Sequence, residues 1–391
     1  MMLIIVADDD ALQRRYVSVV MTKLGHQALE ASDGAEALAL LMQTEAQILV
    51  CDLDMPLMNG LRLTQEIRAL NLDRYVHIIM ITGSEQNEDR KHALDAGVDD
   101  FMTKPFDAAT LRVRIGAAAR LVEHERQMKE KTRILHEAHE RIRTDLEAAA
   151  TAQRRMLPLG VRSIGDYGFA AAFQPSTFVS GDMFGHFTLG PGRIGFYAID
   201  VSGHGIKAAL TSVAFGHLVT SEYFATHATD EDGRPDPARL ARVLNGRFHK
   251  PDDETYLTMF AGVLEEASGD LVFCQAGYPM PMLARPDRTV RLIGEGGFPI
   301  GLWEGAEYHN LSLRLQPGER IVLCSDGATE AEDASGTAFG EERLSALIAQ
   351  ETDRRTEDLP ARVAAALAEW RDGRPLEDDL TVLALERRPT A

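Results

Sequence analysis

Residues Asp107 to Leu157 read DAATLRVRIGAAARLVEHERQMKEKTRILHEAHERIRTDLEAAATAQRRML, with no proline between Pro105 and Pro158 and a single glycine, Gly116. At 1.5 Å per residue such a stretch forms a helix on the order of 75 Å long. Most of it is too polar for the core of a compact domain. Leu121, Met128, Leu135, Ile142, Ala149 and Met156 nevertheless recur at steps of seven, which makes one column of a coiled coil. The companion column is poor in either register. It reads Ala118, Glu125, Thr132, His139, Leu146 and Gln153, or His124, Lys131, Ala138, Asp145 and Ala152. The seam is therefore expected to pair weakly. A weak, adjustable coil between two globular halves suits a signal transmitter, and a solvated helical spacer is the plainer alternative. The expected organisation is a domain at 1–120, a helical coiled-coil linker at 121–157 and a second domain at 158–388.

The 391 residues are 45% hydrophobic and 26% charged, enough for two full cores in a soluble protein. A formal net charge of -19 argues against nucleic-acid binding, because phosphates repel such a chain unless basic residues are segregated into a patch. The basic residues between Arg126 and Arg143 are interleaved with Glu and read as the polar face of a helix. No apolar run has the length of a membrane span, and Leu3 to Val6 lacks the flanks of a signal peptide, so a cytoplasmic protein without membrane attachment is expected. Cys51, Cys274 and Cys324 sit in apolar segments at no metal-binding spacing and read as buried thiols.

Before the helix, apolar runs at Leu3–Val6, Ile48–Cys51 and His77–Ile81 alternate with helical periods at Ala35–Met42, Leu61–Leu70 and Asn87–Ala96. That alternation predicts a doubly wound α/β domain, whose chemistry lies at the carboxyl ends of the strands. The polar residues there are Asp8, Asp9, Asp52, Thr82 and Lys104. Three converging carboxylates repel one another unless a cation sits among them, and hard oxygen ligands select Mg²⁺. A lysine and a threonine hydroxyl beside that ion suit the remaining oxygens of a phosphoryl group, so the edge reads as built to carry phosphate on an aspartate.

Val-Ala-Asp-Asp-Asp, Cys-Asp-Leu-Asp-Met-Pro, Ile-Thr-Gly and Met-Thr-Lys-Pro-Phe closely resemble the motifs of CheY-like receiver domains, over essentially all of the first 120 residues. The resemblance implies Asp52 as phosphoacceptor and Asp8, Asp9, Asp52 and the Asp54 main-chain carbonyl as Mg²⁺ ligands. It implies Thr82 and Lys104 as phosphoryl contacts. Phe101 stands at the aromatic switch position, where Tyr is common.

After Pro158, strand-like runs follow one another at Gly168–Phe173, Arg193–Asp200, Tyr256–Val263, Leu271–Gln275, Val290–Ile293 and Arg320–Ser325. Helical periods appear at Ile206–Ser221, Pro237–His249, Glu341–Glu351 and Leu359–Trp370. Strands in runs and helices in groups predict an α+β sandwich of antiparallel sheets flanked by helices. Asp182, Asp200, Asp326 and the Asp378–Asp379 pair each border such a strand beside small residues. Aspartates at the ends of buried strands are costly to desolvate alone, and gathering them makes sense around metal ions. Two divalent ions hydrolyse phosphate esters with no protein nucleophile.

In order, these motifs resemble the PPM-type serine/threonine phosphatases of the SpoIIE and RsbU subfamily. Supporting segments are Ala152–Pro158, Gln174–Pro175, Gln275–Pro279, Phe298–Gly301, Leu315–Gly318 and Asp326–Glu330. The resemblance implies two Mn²⁺ or Mg²⁺ ions, with Asp200 bridging them, Asp326 and Asp378 on one, and Asp182 with the Val201 carbonyl on the other. His204 is either a general acid or a turn-stabilising residue. Gly185 and Tyr278 depart from the subfamily pattern, which has an acid at the first position and His at the second.

Together the halves read as a response regulator whose output is protein dephosphorylation. The partners implied are a histidine kinase or phosphotransferase, a phosphorylated STAS-type anti-sigma-factor antagonist as substrate, and a second copy paired through the linker helix. The last part of that helix, Ala149 to Leu157, is implied to pack on the catalytic sheets. Two other readings are a catalytically inactive, receiver-controlled adaptor that binds a sigma-factor regulator, and constitutive catalysis beside an idle receiver.

Overall fold

The structure is a computed structural model that describes residues 1–70, 72–83, 87–252 and 254–389. It resolves into two compact units, Met1–Arg141 and Ile142–Ala391.

In the first unit the order is β1 (Leu3–Ala7), α1 (Ala11–Lys23), β2 (Gln27–Ala31), α2 (Gly34–Gln43), β3 (Ile48–Asp52), α3 (Gly60–Ala69), β4 (His77–Thr82), α4 (Asn87–Asp95), β5 (Asp100–Thr103) and α5 (Ala108–Met156). The strands pair in parallel in the order β2-β1-β3-β4-β5. Successive side chains of a strand point to opposite faces. Ile4 and Val6 thus enter one core layer with Val17, Leu111 and Ile115, while Ile5 and Ala7 enter the other with Leu41 and Leu63. Side chains start the helices: Asp10 caps α1, Asp33 caps α2 and Asn59 caps α3. Each cap contributes about 1 kcal/mol.

Helix α5 is continuous for 49 residues. Leu111, Ile115, Ala118 and Val122, spaced four, three and four apart, bury its first turns in the receiver core. Beyond them the heptad column is left uncovered as far as Ile142, with Leu135 70% and Ile142 57% exposed. Among the described residues no helix is long and apolar enough to cross a membrane.

The second unit continues with β6 (Arg162–Ile164), β7 (Tyr167–Gln174), β8 (Met183–Thr188), β9 (Arg193–Val201), α6 (Ile206–Leu218), α7 (Ser221–His227), α8 (Pro237–Phe248), β10 (Leu257–Glu265), β11 (Asp270–Ala276), β12 (Met282–Ala284), β13 (Val290–Leu292), β14 (Leu311–Arg314), β15 (Arg320–Cys324), α9 (Gly340–Gln350), α10 (Leu359–Trp370) and β16 (Leu380–Arg387). Two antiparallel sheets form, ordered β14-β11-β10-β9-β8 and β13-β12-β15-β16-β7-β6. Alternation sets the layers: Ile321 and Leu323 of β15, with Leu383 and Leu385 of β16, face the core shared with Phe196 and Phe260 of the first sheet. Val322, Cys324, Val382 and Ala384 turn the other way, under Leu344, Val363 and Leu367 of α9 and α10. A doubly wound domain, a long helix and an antiparallel sandwich are thus all present as the sequence predicts. The three cysteines are buried and unpaired, and burial raises their thiol pKa values to about 12.

Candidate functional site

The parallel strands of the first unit deliver their polar residues to one edge. Asp8 and Asp9 follow β1, Asp52 ends β3, Thr82 ends β4 and Lys104 follows β5. Ligand oxygens of Asp8, Asp9 and Asp52 lie within 4.8 Å of one another, the one such group of three among the described residues. Lys104 Nζ stands 3.1 Å from Asp52 Oδ2 and 3.3 Å from Asp8 Oδ2. Burial raises the Asp52 carboxyl pKa above the usual range, and Lys104 opposes that shift. The third aspartate of the run serves the helix instead, as Asp10 Oδ1 accepts the Leu12 N–H at 2.8 Å. Asp54 is exposed in the loop after β3. That loop returns so tightly that a Cβ on Gly60 would lie 2.3 Å from the Asp52 carbonyl oxygen, so only glycine fits. Phe101 is buried at 8% exposure and packs into the core rather than standing at the surface.

In the second unit each sheet brings acids to the same end of the sandwich. Asp200 closes β9 and Asp182 immediately precedes β8 in one sheet; Asp326 follows β15 and Asp378 precedes β16 in the other. Asp182 is fully buried, and neither carboxylate oxygen has a hydrogen-bond partner. Its pKa is driven well above the usual range by burial and then by the charge of Asp200, and the Thr381 and Ser325 hydroxyls offset a little of this without reaching hydrogen-bond geometry. Asp200 is pushed up to about 8 by burial and by the charges of Asp326 and Asp378. Asp326 is pushed up to about 6, by burial and then Asp378. Asp378 is raised chiefly by burial. Dehydration and mutual repulsion disfavour the charged form of all four carboxyls, and a divalent cation among such oxygens would relieve both.

The loops fit the same purpose. A Cβ on Gly181 would come 2.9 Å from the Val201 carbonyl oxygen, so glycine lets the two segments approach. Gly203 and Gly205 adopt φ of 82° and 84° in the turn that carries His204. His204 itself is exposed, and its charge bears on Asp378. A cavity of about 310 Å³ opens beside Asp378, lined also by Gly327, Glu330, Arg371 and Arg374.

Both departures from the subfamily pattern have structural reasons or consequences. Gly185 lies on β8 opposite Tyr197, and a Cβ there would meet the Tyr197 ring at 2.7 Å, so no acidic side chain fits. Tyr278 is buried with its hydroxyl unpartnered, and among charged groups Asp182 acts on it most.

Three further residues carry the site's architecture: Gln153 and Leu157 lie in the Ala149–Leu157 segment implied to pack on the sheets, and Ser180 stands just ahead of Asp182. Gln153, a polar flaw in the companion heptad column, is 2% exposed near the end of α5. Its Nε2 donates to the Ser180 carbonyl at 2.6 Å and to Ser212 Oγ at 3.0 Å, and its Oε1 accepts the Ser180 N–H at 3.1 Å. Ser180 lies two residues before Asp182, and its Oγ accepts the Asp182 N–H at 3.0 Å. Leu157 joins the core of the sandwich.

The family model described as stage II sporulation protein E (SpoIIE) matches residues 190–388, and that of the response regulator receiver domain matches 4–116. Protein IcfG of Synechocystis sp. is 24% identical over 279 residues, 66% of this chain and 44% of its own, so this chain spans less than half of that relative's length. A chemotaxis protein CheY homologue of Campylobacter jejuni is 37% identical over 116 residues, covering 29% of this chain and 89% of the homologue. Among solved structures, the SiaA-PP2C domain of Pseudomonas aeruginosa aligns with a TM-score of 0.54 at 21% identity, over 64% of this chain and 98% of that domain. The chain therefore belongs to the SpoIIE family and joins a response regulator receiver domain to a PP2C-type phosphatase domain.

Proposed function

We propose that phosphorylation of Asp52 controls a metal-dependent protein serine/threonine phosphatase in the second domain. The observation that carries this reading is Asp182, a fully buried carboxylate with two unpartnered oxygens among three other acids. An isolated buried carboxylate is expensive, and divalent cations with oxygen ligands remove that cost. The residues thus fit two Mn²⁺ or Mg²⁺ ions. Asp182 and the Val201 carbonyl would hold one, Asp326 and Asp378 the other, and Asp200 both. Bound ions polarise phosphoryl oxygens and make a water nucleophilic near neutral pH. The chain itself orients the substrate phosphate against this end of the sandwich, and His204 at the rim is the candidate donor of a proton to the departing serine or threonine oxygen.

In the receiver, an Asp52 oxygen attacks the phosphorus of a phosphohistidine on a kinase or phosphotransferase. The P–N bond breaks, and the imidazole keeps the electron pair and takes up a proton. Lys104, already paired with Asp52, stays on the acyl phosphate, Thr82 contacts a second oxygen, and Asp8, Asp9, Asp52 and the Asp54 carbonyl would hold a Mg²⁺ that neutralises the phosphoryl charge. The domains are taken as 1–120, 121–157 and 158–388. The linker answers by changing how two copies pair along the exposed column of α5, and Gln153 relays that change to the Ser180–Asp182 loop. Membership of the SpoIIE family supports a phosphorylated STAS-type anti-sigma-factor antagonist as substrate, in the cytoplasm.

The deciding experiment measures Mn²⁺-dependent turnover of an aryl phosphate with and without beryllofluoride, a mimic of aspartyl phosphate, while light scattering follows mass. Several-fold activation is expected, accompanied by dimerisation and absent in Asp52→Asn. Metal-dependent turnover indifferent to beryllofluoride overturns the regulatory half of the reading.

A further inference from the structure

Asp379 stands next to the candidate ligand Asp378, and its carboxylate is taken up by donors of the loop ahead of Asp182. It is 3% exposed. Oδ1 accepts the Ser176 N–H at 2.7 Å and the Ser176 hydroxyl at 2.9 Å, and Oδ2 accepts the Gly181 N–H at 2.8 Å. The main chain of the same residue is also used. Its carbonyl accepts the Ser325 hydroxyl at 2.9 Å, and Ser325 Oγ accepts the Thr381 N–H at 2.9 Å. A Cβ on Gly327 would lie 2.2 Å from that carbonyl oxygen, so the turn carrying Asp326 is pressed directly against it. One residue therefore fastens three segments: the loop ahead of Asp182, the turn of Asp326 and the strand start of Asp378.

We infer that Asp379 is a positioning residue of the phosphatase site, a bracket that holds Gly181 and Asp182 of one sheet in register with Asp378 of the other. This rests on the phosphatase reading above. The carboxylate is needed rather than its amide because both oxygens must accept. Hydrogen bonds from main-chain N–H groups to an ionised acceptor are roughly twice as strong as neutral ones. An asparagine offers one accepting oxygen and would set its NH₂ against either the Ser176 or the Gly181 N–H. The loop then loosens on this side while Gln153 still grips Ser180 on the other, and Asp182 leaves its place relative to Asp378. Groups that orient metal ligands from behind typically account for 10- to 100-fold in metal affinity.

The test uses the full chain with Asp8→Ala and Asp9→Ala, which remove the receiver's metal ligands. Mn²⁺ binding is measured by calorimetry and by the electron paramagnetic resonance of the bound ion, beside a Mn²⁺ titration of aryl phosphate turnover. Asp379→Asn is expected to weaken Mn²⁺ binding by roughly 10- to 100-fold and to move the half-activating concentration equally, with turnover at saturating Mn²⁺ largely restored. Ser176→Ala, which keeps its N–H, should shift binding in the same direction by less. Val363→Ala, in the core under α10, should lower the melting temperature and leave Mn²⁺ affinity alone. The inference is overturned if Asp379→Asn behaves like Val363→Ala, or if turnover falls at every Mn²⁺ concentration while affinity is unchanged. If the unaltered phosphatase domain binds Mn²⁺ but turns nothing over, the phosphatase reading fails separately, and the calorimetric affinities still decide the role of Asp379.

Discussion

In the receiver domain three carboxylates share a sheet edge with an ammonium, whereas in the phosphatase domain four carboxylates face mainly one another. Lys104 lies within 3.3 Å of both Asp8 and Asp52, so part of the compensating charge is covalently present. After burial, the groups that weigh most on Asp200 are Asp326, Asp378 and Asp379, all of the same sign. Two acidic sites thus follow different rules. The first holds an internal ion pair between Lys104 and two of its acids. In the second, burial and like charge raise the pKa values of the acids, and on the proposed reading bound cations would offset that charge. Replacing one acid should therefore be felt most in the second site.

Asp200→Asn is accordingly the largest expected effect. It removes the β9 acid on which the charges of Asp326 and Asp378 act and, with it, several kcal/mol of charge stabilisation, about three orders of magnitude in Mn²⁺-dependent turnover. Phosphorylation of Asp52, followed on gels that retard phosphoproteins, should persist in the same variant. Retained turnover in Asp200→Asn would break the contrast, because the second site would then work without its central acid.

The contrast was largely legible in the residues, and its gaps have physical causes. The receiver's acids follow runs such as Ile48–Cys51 directly, so strand and ligand are read together. Strand β2, Gln27–Ala31, escapes that reading because an edge strand is half solvated and needs no apolar run. In the second domain β8 escapes for a different reason: Gly185 and His186 interrupt its pattern, although Asp182 before it is the most deeply buried of the acids. The single helix expected at Ile206–Ser221 ends at Leu218, and Thr220 starts another by accepting the Tyr223 N–H at 3.2 Å. Gln153 lies in the segment implied to pack on the sheets and Asp379 in the Asp378–Asp379 pair, but their roles as brackets are not legible in the sequence. Their partners Ser180, Ser176 and Gly181 lie 27 to 203 residues away, and such pairings exist only once the sandwich has closed.

A smaller effect follows from the raised acids. The Asp200 carboxyl titrates at about 8 in the fold and near 4 in an unfolded chain. Between those values the metal-free fold holds a proton that the unfolded chain has released. The stability tied to that proton is fully present below about pH 4 and is lost as pH rises toward 8. The metal-free melting temperature of the phosphatase transition should therefore fall between pH 5 and 8, on the order of several degrees. Added Mn²⁺ should raise it more at pH 8 than at pH 5, since ions compete with protons for the same oxygens. Asp200→Asn should flatten the slope. A slope of the opposite sign would mean that the acids are compensated within the chain, as in the receiver.

The smallest effect sharpens the same comparison at Tyr278. Its hydroxyl is buried with no partner, and the charged group that acts on it most, Asp182, has none of its own. A buried hydroxyl without a hydrogen bond stabilises nothing, so Tyr278→Phe should change metal-free stability by about 0 to 1 kcal/mol, toward greater stability if at all. Melting curves with and without Mn²⁺ check this. Equal curves in both conditions leave the phosphatase acids dependent on ions alone. A loss of about 2 kcal/mol or more that arises only with Mn²⁺ present would show the hydroxyl donating to a carboxylate once the ions draw the acids together. The second site would then own an internal donor, a weaker counterpart of Lys104, and the two sites would differ in when compensation arrives rather than in whether the chain supplies any.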